Sequence, residues 1–306
     1  MKRRIISLLL AVMMVFSLLP TAALADELEP GTAADEMTGS DSPSPVARIG
    51  TTDYSTLSEA IAAAEAETEI DIIADIHCEF EKGALFVIPA DKNIILDLNG
   101  HTISGIATAA DASYLIHNQG VLTIKDSGAG GLITYKAINR DANNYYYATD
   151  TIWNRGELII KGGTIENNTV GGASYAVDNS SQWYDVTDTI TFNMYGGNVS
   201  CTSGNAAVRQ VSTVNYLKNY VNIVDGTITG DLWVQSLQDG HSELSVTGGT
   251  ITGKLYITIG SNGTGNNLYI DVSGGYINEV GRADKEHFIT GGTFGTPVDA
   301  KYIAEG

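Results

Sequence analysis

Leu158-Ile159-Ile160-Lys161-Gly162-Gly163-Thr164-Ile165 is the stretch that decides the fold, because the chain writes it repeatedly. It returns as Phe192-Asn193-Met194-Tyr195-Gly196-Gly197-Asn198-Val199 and as Val221-Asn222-Ile223-Val224-Asp225-Gly226-Thr227-Ile228. Leu244-Ser245-Val246-Thr247-Gly248-Gly249-Thr250-Ile251 and Ile270-Asp271-Val272-Ser273-Gly274-Gly275-Tyr276-Ile277 follow, then the shorter Phe288-Ile289-Thr290-Gly291-Gly292-Thr293-Phe294. The second glycines, at 163, 197, 226, 249, 275 and 292, are 34, 29, 23, 26 and 17 residues apart. A period of this size means one structural unit stacked on the next.

Alternation of period two makes each copy a short strand, and glycine at the bend takes up backbone angles that residues with a Cβ resist. A strand this short cannot bury its apolar edge alone. Stacking each copy on the one before, about 4.8 Å per layer, pairs the ladder hydrogen bonds and builds a continuous core, so the repeat predicts a parallel β-helix.

A second row of strands runs in register through the same coils. Tyr114-Leu115-Ile116-His117-Asn118 aligns with Asp150-Thr151-Ile152-Trp153-Asn154, Tyr175-Ala176-Val177-Asp178-Asn179 and Ala206-Ala207-Val208-Arg209-Gln210. The closing Asn118, Asn154 and Asn179 are expected to form an internal amide ladder. The apolar neighbours point inward, which sends His117, Trp153, Asp178, Arg209, Trp233 and Tyr256 outward at successive layers.

The ends carry separate signals. Lys2, Arg3 and Arg4, an apolar run from Ile5 to Leu19 and Ala23-Leu24-Ala25 form a secretory signal over residues 1–25, too short to remain as a membrane span. No cysteine follows it, which argues against lipoprotein processing, and no anchoring motif follows the last copy. Residues 26–46 are acidic and poor in apolar side chains, a flexible leader. The β-helix is expected over 47–306, opened by a short capping helix with Thr56 as N-cap and Glu59 at the capping-box position. That helix would cover the open end of the first coil.

The formal net charge is −19, and loss of the three signal-peptide bases takes the basic count from 17 to 14 against 36 acidic residues. Such a chain repels nucleic acid and anionic lipid, and neither is expected as a partner. Cys78 and Cys201 are the only cysteines, which excludes a disulfide scaffold and a cysteine metal cluster; both are expected as buried free thiols.

The chain resembles the pectin-lyase-like right-handed parallel β-helix superfamily, in particular exported bacterial β-helix-repeat proteins of adhesin-like character. Tyr54-Ser55-Thr56-Leu57-Ser58-Glu59-Ala60-Ile61, Leu96-Asp97-Leu98-Asn99-Gly100-His101-Thr102-Ile103, the Gly-Gly-Thr-Ile copies and the Gly-Gly-Thr-Phe ending with Tyr302 carry the resemblance. It implies two kinds of activity, cleavage of polysaccharides or surface recognition without catalysis, and the fold does not choose between them.

Side chains bear on that choice. The polygalacturonase pattern needs an acid and a base flanking a water, and this chain has no Asp-Asp pair, no Gly-His-Gly and no Arg-x-Lys in its coils. A lyase would need stacked carboxylates for calcium and a basic residue; Asp178, Arg209 and His117 are the candidates for that alternative. Aromatic rings one coil apart instead make platforms for sugar rings, so Trp153, Asp178, Arg209, Trp233 and Tyr256 form the candidate binding face. Two long insertions, 139–150 and 167–188, add Tyr146 and Trp183 to it, and Asp150, Asp185 and Asp188 there could hold a weakly bound calcium. No cofactor is otherwise expected. The pattern as a whole predicts a secreted or cell-surface protein that binds a polysaccharide or a surface protein, with a polysaccharide lyase or glycoside hydrolase acting on uronic-acid-containing glycans as the alternative.

Overall fold

A computed structural model describes residues 44–137, 149–170, 173–180, 189–201, 206–213, 217–260 and 262–305, without the side chains of 110–112. The signal segment and most of the leader lie outside the described residues.

The described residues are mostly strand and run through three parallel ladders in a fixed order. The first face stacks Thr68–Ile72, Asn93–Asp97, Val121–Lys125, Glu157–Ile160, the first halves of Thr189–Cys201 and Lys218–Thr229, His241–Val246 and Leu268–Val272. The second carries the Thr-Ile segments after the glycines, such as Thr164–Asn167 paired with Leu132–Ala137 and with the end of Thr189–Cys201. The third stacks the ends of Ile76–Ile88 and Thr102–Asn118 on Thr149–Asn154, Ser174–Ser180, Ala206–Ser212, Asp231–Ser236 and the end of Thr250–Ile259.

Alternation explains what each face buries. Leu158, Ile160, Phe192, Met194, Val221 and Ile223 point inward from the first face, Ile165, Val199, Ile228 and Ile251 from the second, and Ile116, Ile152, Val177, Val208, Leu232 and Leu255 from the third. They form one core along the stack. Between the first two faces the repeated glycine pair turns the chain, and its members act differently. The second glycine has positive φ, +76° at Gly197, +74° at Gly249 and +77° at Gly275, which a side chain would strain. The first lies on the preceding coil: a Cβ at Gly248 would fall 2.1 Å from the Val224 carbonyl oxygen, and one at Gly274 2.1 Å from that of Thr247.

The N-terminal end is closed as expected, with one addition. Thr56 caps helix Leu57–Ala63, accepting from the Glu59 backbone N–H at 3.1 Å while its own N–H donates to the Glu59 carboxylate at 3.2 Å. Leu57, Ala60 and Ile61 pack into the core. The addition is Ala47–Ile49, which pairs antiparallel with Thr52–Tyr54 and with the first ladder strand Thr68–Ile72. It covers a strand edge that would otherwise be open to another chain. At the other end Tyr302 is buried against Phe288, ring centroids 5.4 Å apart. Neither cysteine is in a disulfide; Cys201 is buried, whereas Cys78 is only half-buried, in contrast to the expectation for both.

The expected asparagine ladder runs through the inward side of the third face. Asn118 Nδ2 donates to Asn154 Oδ1 at 2.7 Å, Asn154 Nδ2 to Asn179 Oδ1 at 2.7 Å, and Asn179 Nδ2 to Gln210 Oε1 at 3.0 Å. Each amide also donates across to the first face, to the carbonyls of Glu157, Thr191, Tyr220 and Glu243 in turn. All four side chains are fully buried, so each bond replaces water that cannot reach it. Asn154→Leu strips Asn179 Oδ1 and the Thr191 carbonyl of a donor, and unfolding in urea should show a loss of about 3 kcal/mol or more; a loss below about 0.5 kcal/mol would show the ladder to be dispensable.

Candidate functional site

The expected outward row exists in register. On the third face His117 pairs with Trp153, Trp153 with Asp178, Asp178 with Arg209, Arg209 with Trp233, and Trp233 with Tyr256. Its strands do not alternate strictly. Leu115 and Ile116 are both in the core, as are Ala176 with Val177 and Ala207 with Val208, so the residue three before each row position also faces out. A second outer column, Tyr114, Asp150 and Tyr175, therefore lies beside the first.

The two columns interlock. The Trp153 ring has the Tyr114 ring stacked at 4.4 Å and 25°, the His117 ring at 4.4 Å and 18°, and the Arg155 guanidinium 4.6 Å from its centroid. One layer on, Arg209 binds Asp178 through two parallel bonds, Nε to Oδ1 at 3.0 Å and Nη2 to Oδ2 at 2.7 Å. The same guanidinium lies 4.4 Å from the Tyr175 ring centroid and donates to its hydroxyl at 3.3 Å, while the Ser180 hydroxyl donates to Asp178. Tyr114 and Tyr175 were not among the expected site residues. Their position three residues before His117 and Asp178 in the aligned pentads is the signal that marks them.

This packing corrects the picture of an open platform. His117 and Trp153 are each 3% exposed and Asp178 2%, so the first layers of the row point away from the core yet are closed to solvent. Trp153 has no free ring face for a sugar. Arg209 keeps 22% of its side chain exposed, and Trp233 and Tyr256 are half-buried, Trp233 Nε1 donating to Thr258 Oγ1 at 2.8 Å. Tyr146, Trp183, Asp185 and Asp188 lie outside the described residues.

The electrostatics follow from the same contacts. Burial, and secondarily the charge of Arg155, push the His117 imidazole down to about 3, so it is neutral near pH 7, and its Nε2 has no hydrogen-bond partner among the described residues. Burial also opposes the Arg209 charge, but Asp178, Tyr175 and Asp150 outweigh it and its pKa is raised. His117 sits three layers from Arg209, roughly 14 Å at ladder spacing, so of the three lyase candidates Asp178 and Arg209 meet while His117 stands apart from them.

A carboxylate cluster occurs elsewhere, where Glu69, Asp71 and Asp97 bring their oxygens within 4.8 Å of one another on the first face. Lys125 supplies its cation, with Nζ 2.9 Å from Glu69 and 3.1 Å from Asp97. Partial burial and then the charges of Glu69 and Asp97 raise the Asp71 carboxyl, while backbone donation from Ser127 and Asn99 keeps Asp97 low against its own burial. Of known family models, curated proteins and solved structures, none matches this chain.

The depressed His117 pKa has a consequence for stability. The unfolded chain takes up a proton near pH 6.5 that the folded protein refuses until about pH 3, so stability is full above that window and falls through it as pH drops. Thermal melts should therefore show His117→Phe losing less stability than the parent between pH 6.5 and 4, the gap growing by up to roughly 1.4 kcal/mol per pH unit. Parallel curves would show that His117 titrates normally.

Proposed function

We propose that this chain is a right-handed parallel β-helix of the pectin-lyase-like kind, exported from the cell, that recognises a carbohydrate or surface partner without catalysis. The repeated passage through three parallel ladders, with a helix at one end and a buried tyrosine at the other, supports that architecture. A right-handed crossover is the form in which twisted parallel strands connect. The basic, apolar and small-residue order of residues 1–25 supports export.

The observation that carries the non-catalytic reading is the closed Asp178–Arg209 pair. A base that removes a proton from a sugar must reach it, and a guanidinium held by two bonds to a buried carboxylate is committed to structure. His117, sealed under Trp153, is equally out of reach. The acidity of the chain weighs further against a uronic-acid polymer as substrate.

Incubation with uronic-acid and neutral polysaccharides, with and without calcium, should give neither unsaturated products nor new reducing ends. In the same preparation Arg209→Ala should lower stability by about 2 to 4 kcal/mol, because it strands the Asp178 carboxylate. Turnover by the parent that disappears in Arg209→Ala, with the fold intact by circular dichroism, would overturn the reading in favour of a lyase.

A further inference from the structure

The first face carries a second surface, distant from the Trp153 row. On three successive strands Tyr220, Glu243 and Tyr269 stand in register, with Asn222, Ser245 and Asp271 beside them in the next outward column. His241 lies between the two tyrosines, its ring centroid 5.5 Å from Tyr220 and 5.1 Å from Tyr269, and its Nε2 is 3.6 Å from Glu243 Oε2. Three rings thus step along the axis of the stack. At their C-terminal end a shallow groove of about 360 Å³ opens, walled by Glu243, Ser245, Tyr269, Asp271 and Lys285 and floored by the strands themselves. Tyr269 is 49% exposed, in contrast to the sealed Trp153.

We propose that this groove binds one or two units of a neutral, linear pyranose glycan, with Tyr269 as the stacking platform. The inference rests on the recognition reading given above and names its site and ligand class.

Four observations lead to it. The groove is near the lower size limit of small-ligand sites and takes a ring or two, not a folded domain. Its polar groups are both acceptors, on Glu243 and Asp271, and donors, on Lys285 and Ser245, so they match hydroxyls that both give and take hydrogen bonds. Two carboxylates against one ammonium leave the groove slightly negative, which together with the net −19 of the chain repels a polyanion. Finally, the outward side chains of the floor, Tyr220, Glu243 and Tyr269 with Asn222, Ser245 and Asp271 beside them, recur one ladder step apart. Side chains repeated at the spacing of the layers suit a ligand that itself repeats.

The test is binding of the full chain to immobilised neutral glycans (β-glucan, mannan, xylan and N-acetylglucosamine oligomers), with polygalacturonate and a lysine-rich peptide as competitors. A neutral glycan should bind, Tyr269→Ala should weaken it roughly tenfold or more, Asp271→Asn should weaken it at unchanged melting temperature, and Trp233→Ala should leave it unchanged. Absence of binding to every neutral glycan at millimolar concentration overturns the inference, as does a preference for polygalacturonate or the peptide. Binding that survives Tyr269→Ala but is lost in Trp233→Ala overturns this site and leaves the recognition reading standing. Depolymerisation of the bound glycan overturns the non-catalytic reading, and Tyr269→Ala still decides the groove.

Discussion

Four coils of this protein lie closely on the one below because the first glycine of the pair, at 196, 248, 274 and 291, meets the preceding turn where a Cβ would collide with a carbonyl oxygen. At Gly248 and Gly274 the missing side chain is the space into which the Val224 and Thr247 carbonyls fit. With that approach secured, the strands on either side fall into parallel register, and the register then places every inward residue over its counterpart one layer away. Core, polar ladder and outer columns are all consequences of that single stacking distance.

The stacking distance also explains why polar groups are tolerated inside. An asparagine amide can donate forward to the next amide and sideways to a first-face carbonyl only if its neighbour sits one ladder step away. Repeated from Asn118 to Gln210, this makes a one-way chain in which each Nδ2 or Nε2 is spent and no layer can slip without breaking bonds in its neighbours. The outer surface of the same layers obeys the same logic. Trp153 closes over His117 and Tyr114, and Arg209 over Tyr175 and Asp178, because ladder spacing puts flat groups on adjacent layers within stacking distance. Side chains placed to meet each other so well are used up by doing so, which is why the third face is structural in its first layers while the first face keeps Tyr269 and its groove open.

Much of this is legible in the amino-acid sequence, for a physical reason: a repeat states the same local rule many times. The glycine pairs, the register of His117 with Trp153, Asp178 and Arg209, the Asn ladder and the Thr56 capping box all depend on local spacing, and spacing is what a sequence records. What spacing does not record is which outward side chains cover one another. The double inward step at Leu115-Ile116 adds Tyr114 to the outer surface and so buries Trp153, and strict alternation conceals it. The Ala47–Ile49 strand is too short to show a period, and its antiparallel pairing depends on the distant Thr68–Ile72. The groove at Tyr269 joins Lys285 to strands earlier in the chain, a meeting no single repeat announces.

The claim beneath all of this is that the layers stack in one direction at one spacing from end to end. Glu69, Ile95, Thr123, Ile159, Asn193, Asn222, Ser245 and Asp271 form a single outward column on the first face. Double electron–electron resonance between spin labels at Glu69→Cys and Asp271→Cys, with Cys78 and Cys201 replaced by alanine, measures that column directly. Seven ladder steps of about 4.8 Å predict a narrow distribution centred near about 34 Å. A maximum well under about 20 Å, as two sheets folded back on each other would give, would contradict the stacked architecture.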